Sequence, residues 1–230
     1  MSAWRAVLVL ALALAFGASP LWVPDFGGFD ADSFPIPQND PPVQPAGFAF
    51  AIWGVIYLWL IAGAGFGLLK RGTDPAWDAM RLPLALSLAV GAIWLPVAVL
   101  SPVWATILIW AMLVPALVAL FRAPTDDIWA AALPVGLYAG WLSAASCVAI
   151  GLLLGGYGYL SEDAAALVMI SVAAALAFAI QSRLGRTPTY GLAVIWALVA
   201  IVVQNGVFNP AGMAAAAAAI VLILPTLHAR

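Results

Sequence analysis

The side chains in this sequence whose types and spacing could do chemistry are aromatic. Pro45 is followed by Phe48, Phe50, Trp53 and Tyr57 in the stretch PAGFAFAIWGVIY. Ala49, Trp53 and Tyr57 fall at i, i+4 and i+8, so a helix starting at Pro45 puts them on one face. Rings gathered in this way can wall a pocket for a flat apolar ligand. Indole N–H and phenol O–H groups would then supply a few orienting hydrogen bonds. The same spacing also serves helix packing beside an interfacial aromatic belt. Pro134, Tyr138 and Trp141 make a second face at i, i+4 and i+7, among Gly136, Ala139, Gly140, Ser143, Ala144 and Ala145. Small residues let membrane helices approach closely, and they also leave space beside rings. Trp94 and Pro96 sit near the end of another apolar segment.

Other chemistries are excluded by what is missing. No Asp, Glu, Lys, Arg or His lies deep in an apolar segment, which argues against proton relays and charged ion pathways. The carboxylate pairs and His bases of acid–base catalysis are absent for the same reason, so the chain does not read as an enzyme. Ser87, Ser143 and Ser146 have no base nearby and read as packing hydroxyls. One cysteine, Cys147, and one histidine, His228, rule out an ordinary Cys/His metal cluster and an intrachain disulfide. There is no phosphate loop, no dinucleotide fingerprint and no basic stripe for nucleic acid.

The elements that must position the rings are membrane helices. Hydrophobic residues make up 66% of the chain, and only 8 basic and 10 acidic residues accompany them, so the bilayer is the solvent. A span needs roughly 20 apolar residues. Eight segments meet or approach this, near 3–19, 46–69, 82–100, 103–121, 128–154, 163–181, 189–206 and 211–227. The first, with Arg5 before it and Gly17, Ala18 and Ser19 at its end, imitates a secretory signal. Charge favours a retained helix. With eight spans, Arg5, Lys70, Arg71, Arg81, Arg122, Arg183, Arg186 and Arg230 all fall on one side. By the positive-inside rule both termini are then cytoplasmic, as suits a bacterial inner membrane. The other side has Asp25, Asp30, Asp32, Asp40, Glu162 and Asp163. The first loop, 20–44, is rich in proline and carries Trp22, Phe26, Phe29 and Phe34, which either rest on the membrane surface or fold back as a lid.

The proline–aromatic spacing from Pro45 to Tyr57 resembles the second helix of the TspO/MBR family, the translocator or tryptophan-rich sensory proteins. Phe48 stands where that family usually has Trp. The long first loop, Trp94 on the third segment and the Pro134–Tyr138–Trp141 face on the fifth match the family's order as well. Gly91 departs from it, because an asparagine usually stands three residues before the third-helix Trp. The resemblance implies an all-α integral membrane protein with a five-helix TspO-like bundle over 1–154. Residues 155–230 would form a three-helix C-terminal extension. It implies a non-enzymatic sensory or translocator role, with no obligatory cofactor. The implied ligand is a tetrapyrrole such as protoporphyrin IX or haem, or a sterol-like molecule. Its site would comprise Pro45, Phe48, Phe50, Trp53, Tyr57, Trp94, Tyr138 and Trp141, covered by the first loop. Homodimers in the bilayer are implied too. The residues leave two other readings open: a permease for a small apolar solute, hinged at Pro96, Pro115 and Pro134, and a structural assembly factor.

Overall fold

The computed structural model describes residues 3–23 and 26–229, and it is all helical in that range apart from turns and loops. The sequence readings made for Pro24, Asp25 and Arg230 lie outside the described residues. Eight α-helices follow in order: α1 Trp4–Ala18, α2 Ile52–Arg71, α3 Pro75–Ala98, α4 Pro102–Arg122, α5 Ala132–Gly156, α6 Glu162–Leu184, α7 Thr189–Asn205 and α8 Pro210–Leu227. Seven of them, α1 and α2 with their adjoining 3-10 turns, are long and apolar enough to cross a membrane. The remaining one, α7, has 17 residues, at the short end of what a bilayer core requires.

Local chemistry sets the helix starts. Asp74, Ser101, Ser161 and Asn209 each accept a backbone N–H from the first turn of α3, α4, α6 and α8. In three of these helices a proline follows the cap, where its missing N–H costs nothing. The start of α2 is different. Residues Gly47–Ala51 form a 3-10 turn, and regular α-helix begins only at Ile52, not at Pro45. Pro134 lies in the first turn of α5, where no backbone bond is lost, so it is not a hinge of the kind the permease reading placed there. Pro96 and Pro115 do lie inside α3 and α4.

The helices close two rings that share one member. In the first, α1 packs on α2, α2 on α5, α5 on α4, α4 on α3, and α3 on α1. In the second, α5 packs on α6, α6 on α8, α8 on α7, and α7 back on α5. The shared helix is accordingly 72% buried over its apolar window, against 44% or less for every other span. Its composition permits this. A Cβ on Gly140 would collide with the Tyr190 carbonyl of α7, so only glycine admits that approach. Tyr138 faces the first ring, its hydroxyl 2.8 Å from Ser87 Oγ, which donates to the Met112 carbonyl at 2.7 Å. Ser143 faces the second ring, 3.0 Å from the Tyr190 hydroxyl.

The charged residues sort to the two ends. Arg81 belongs to the second turn of α3, not to the preceding loop, because Asp74 and Pro75 start that helix early. It is 3% exposed and donates to the carbonyls of Gly67, Arg71 and Gly72 at 3.1, 2.7 and 3.0 Å, so it caps the end of α2. Asp78 bridges it to Arg5 of α1. At the same end Arg71 pairs with Asp127 at 2.7 Å, and Arg186 donates to Ala123 O beyond α4 at 3.0 Å. The opposite end holds the first loop, which packs on α5. Ile36 N–H donates to Gly156 O at 2.9 Å, and Gln38 to Glu162 at 3.2 Å.

Candidate ligand cleft

Two adjoining voids open inside the first ring, near the end that carries the first loop. One is a cavity of about 190 Å3, lined by Phe16, Phe26, Phe50, Trp53, Tyr57 and Trp94, among others. The other is a narrower cavity of about 60 Å3 that runs from Trp94 and Phe50 past Pro45, Gln44 and Trp141 to the small residues Ala144, Ala145 and Ala149 of α5. Phe26, Phe50, Trp94 and Ile109 belong to both walls, so the two halves form one cleft.

The rings hold one another in place. Trp53 stacks on Tyr57 at 5.4 Å with planes 16° apart. Trp141 meets Trp53 edge-on at 6.1 Å and Phe50 at 6.0 Å. Phe16 stands perpendicular to Tyr57 at 4.9 Å and to Trp53 at 5.8 Å. Edge and stacked arrangements of this kind add to the stabilisation from apolar burial. Trp94 is fixed from behind, its indole donating to the Ala105 carbonyl of α4 at 2.9 Å. The loop folds over it, with Phe26 and Phe29 at 5.4 and 6.5 Å from its ring. Of the four loop aromatics, Phe26 and Phe29 fold back over the cleft, Phe34 is buried against Gly156, and Trp22 stays 78% exposed.

Of the eight site residues expected from the sequence, Pro45, Phe50, Trp53, Tyr57, Trp94 and Trp141 line the cleft. Two stand apart. Phe48 is 47% exposed and packs edge-on against Trp196 of α7 at 5.5 Å. The 3-10 turn is the reason: with three residues per turn it eclipses Phe50 with Trp53 and swings Phe48 off that face. Tyr138 is fully buried behind the cleft, 5.6 Å from Phe16, and is committed to Ser87. Sequence reasoning missed Phe16, Gln44 and Ala197. Phe16 had a signal, since Val9, Ala13 and Phe16 share one buried face of α1. Ala197 had none.

Ala197 belongs to α7, which also holds the rim. The Ala46 N–H donates to Ala200 O at 3.2 Å, Trp196 Nε1 to Ala49 O at 3.1 Å, and Asn205 Nδ2 to Pro42 O at 3.0 Å. Segment 42–49, which leads into α2, is therefore seated on the second ring.

A family model described as TSPO-like protein matches residues 36–228, most of the chain. The chain belongs to the TSPO-like family. The match begins in the first loop and covers α2 through α8, so it takes in the second ring as well as most of the first. Neither the curated proteins nor the solved structures compared with the chain gave a match. As a TSPO-like membrane protein, the molecule departs from the family's usual pattern at Gly91, and the structure gives the local reason. A Cβ there would stand 2.7 Å from Cε2 of Phe16 and 3.1 Å from the Met112 methyl. The Phe16 ring occupies the space that an asparagine side chain would need. Among the described residues, no group of three or more His, Cys, Asp or Glu could hold a metal ion.

Proposed function

We propose that this TSPO-like protein is a membrane receptor or carrier that binds a flat apolar ligand, a tetrapyrrole or a sterol-like molecule, between α1, α2, α3, α4 and α5. The observation that carries this reading is the aromatic box formed by Phe16, Phe50, Trp53, Tyr57, Trp94 and Trp141 around one continuous cleft. Flat faces recognise flat faces by stacking, and an apolar wall gains from every apolar atom it removes from water or lipid headgroups. The cleft suits binding rather than acid–base chemistry, because among the described residues Tyr57 is the only ionisable side chain in its lining. The gathering of basic residues at the end opposite the cleft supports cytoplasmic termini, with the cleft toward the outer face.

The test is a titration of the protein in nonionic detergent with a sterol ketone and with protoporphyrin IX dimethyl ester, following tryptophan fluorescence. Saturable quenching is expected, weakened about tenfold or more in Trp53→Ala and Phe50→Ala, as loss of one stacking ring of about 1.5 kcal/mol implies. Linear quenching that is the same in all three proteins would mean partition into the micelle and would remove the reading.

A further inference from the structure

Charge restricts the ligand of this cleft more sharply than shape does. No Asp, Glu, Lys, Arg or His lines either half among the described residues. No polar side chain enters from Gly91, where a Cβ would meet the Phe16 ring. At this end of the helices the described charged side chains carry a single sign. Asp30 follows the lining residue Phe29 and accepts from the Asp32 N–H at 3.0 Å. Asp40 lies four residues before the lining residue Gln44, and Glu162 accepts from Gln38 at 3.2 Å with Asp163 beside it. All described Lys and Arg residues lie at the other end of the helices. That end is a bilayer core away, about 30 Å, several times the Debye length of roughly 8 Å. A carboxylate in the cleft would lose its hydration with no counter-ion, and at the mouth it would face like charges. A neutral acceptor is treated differently. Trp141, 2% exposed, has an indole N–H with no acceptor among the described residues, the one such buried donor among the described side chains that wall the cleft.

We propose that the cleft selects flat apolar ligands whose polar end is neutral or cationic, and discriminates against carboxylates. This rests on the ligand-cleft reading above and narrows it. The diacid protoporphyrin IX is then a poorer ligand than an uncharged porphyrin of the same ring. The ester ends of such a porphyrin bring no charge to desolvate.

Three porphyrins with one ring test this in nonionic detergent: protoporphyrin IX, its dimethyl ester, and its diamide bearing two quaternary ammonium groups. Each is titrated by tryptophan fluorescence at low salt and at high salt, with the quenching of free N-acetyltryptophanamide in the same detergent subtracted. At low salt the ester is expected to bind about tenfold tighter than the diacid, and the cationic diamide at least as tightly as the ester. High salt narrows these gaps. Asp30→Asn and Glu162→Gln keep the local hydrogen bonds, and are expected to weaken the cationic ligand alone by several fold. Equal affinities, or a diacid that binds tightest, would overturn the proposal and leave the flat-ligand reading standing. If none of the three binds, the proposal also falls, and the sterol titration decides whether the broader reading falls with it.

Discussion

Replacing Gly91 by alanine tests the packing that closes the cleft. The new methyl would lie 2.7 and 2.8 Å from two carbons of the Phe16 ring and 3.1 Å from the Met112 methyl. Tyr57, Trp53 and Tyr138 flank Phe16 at 4.9, 5.8 and 5.6 Å, so its ring can yield only toward the cleft it lines. Overpacking of this kind costs about 1–3 kcal/mol. Against it stands the helix preference of alanine over glycine, about 1 kcal/mol in a helix interior. The net expectation is a loss of up to about 2 kcal/mol, together with weaker ligand binding as the ring is pushed toward the void. Gly54→Ala in α2 is the control, because a Cβ there meets nothing within 4 Å. Only the propensity gain remains at that site, so it should stabilise by up to about 1 kcal/mol. Equilibrium unfolding of detergent-solubilised protein would measure both. Adding Phe16→Ala should relieve Gly91→Ala, so that the second methyl costs less in the double variant than alone. A Gly91→Ala protein at least as stable as Gly54→Ala would refute the argument that Phe16 occupies this space.

Other perturbations address the supports of the cleft. Arg81→Leu strands three carbonyls at the end of α2 and leaves the buried Asp78 with Arg5 alone, so unfolding measurements should give a loss of about 3–5 kcal/mol. Asn205→Leu together with Trp196→Phe removes two of the three hydrogen bonds between α7 and segment 42–49. Amide exchange across 42–50 should then speed up while the rest of α2 keeps its protection. Tyr138→Phe leaves Ser87 bonded to the Met112 carbonyl, so it should cost only about 1 kcal/mol and spare ligand affinity. A large loss of affinity in that variant would return Tyr138 to the binding wall.

Most of the helices are legible in the sequence because hydropathy and the one-sided distribution of Lys and Arg agree on eight segments. What single-helix periodicity does not reveal is which faces meet. Trp53 and Trp141 stand out by spacing, yet their contact depends on α2 lying beside α5. Ala197 is one alanine in an apolar run until α7 turns it toward the cleft. The Phe48 placement fails for a local reason, since a 3-10 turn cannot be told from the first turn of an α-helix by aromatic spacing alone. Arg81 reads as a loop residue when apolar windows decide where α3 begins, although the Asp74–Pro75 pair already marks an earlier start. The division expected near residue 154 falls at the end of α5, the helix that the two rings share. α7 contacts both α5 and the segment that leads into α2.

The shared helix has a consequence for how the protein is made. Helices enter the membrane in order of synthesis, N-terminal first. When α5 is inserted, the face that will receive α7 is without its partner, so the Ser143 hydroxyl and the Gly140 notch wait in lipid. Segment 42–49 waits as well, because its seat on Ala200 and Asn205 is still unsynthesised. The cleft wall at Phe50 is completed only by residues made about 150 positions later. Completion of the cleft is thereby tied to completion of the chain, and a polypeptide stalled after five helices would hold the aromatic residues without the finished wall.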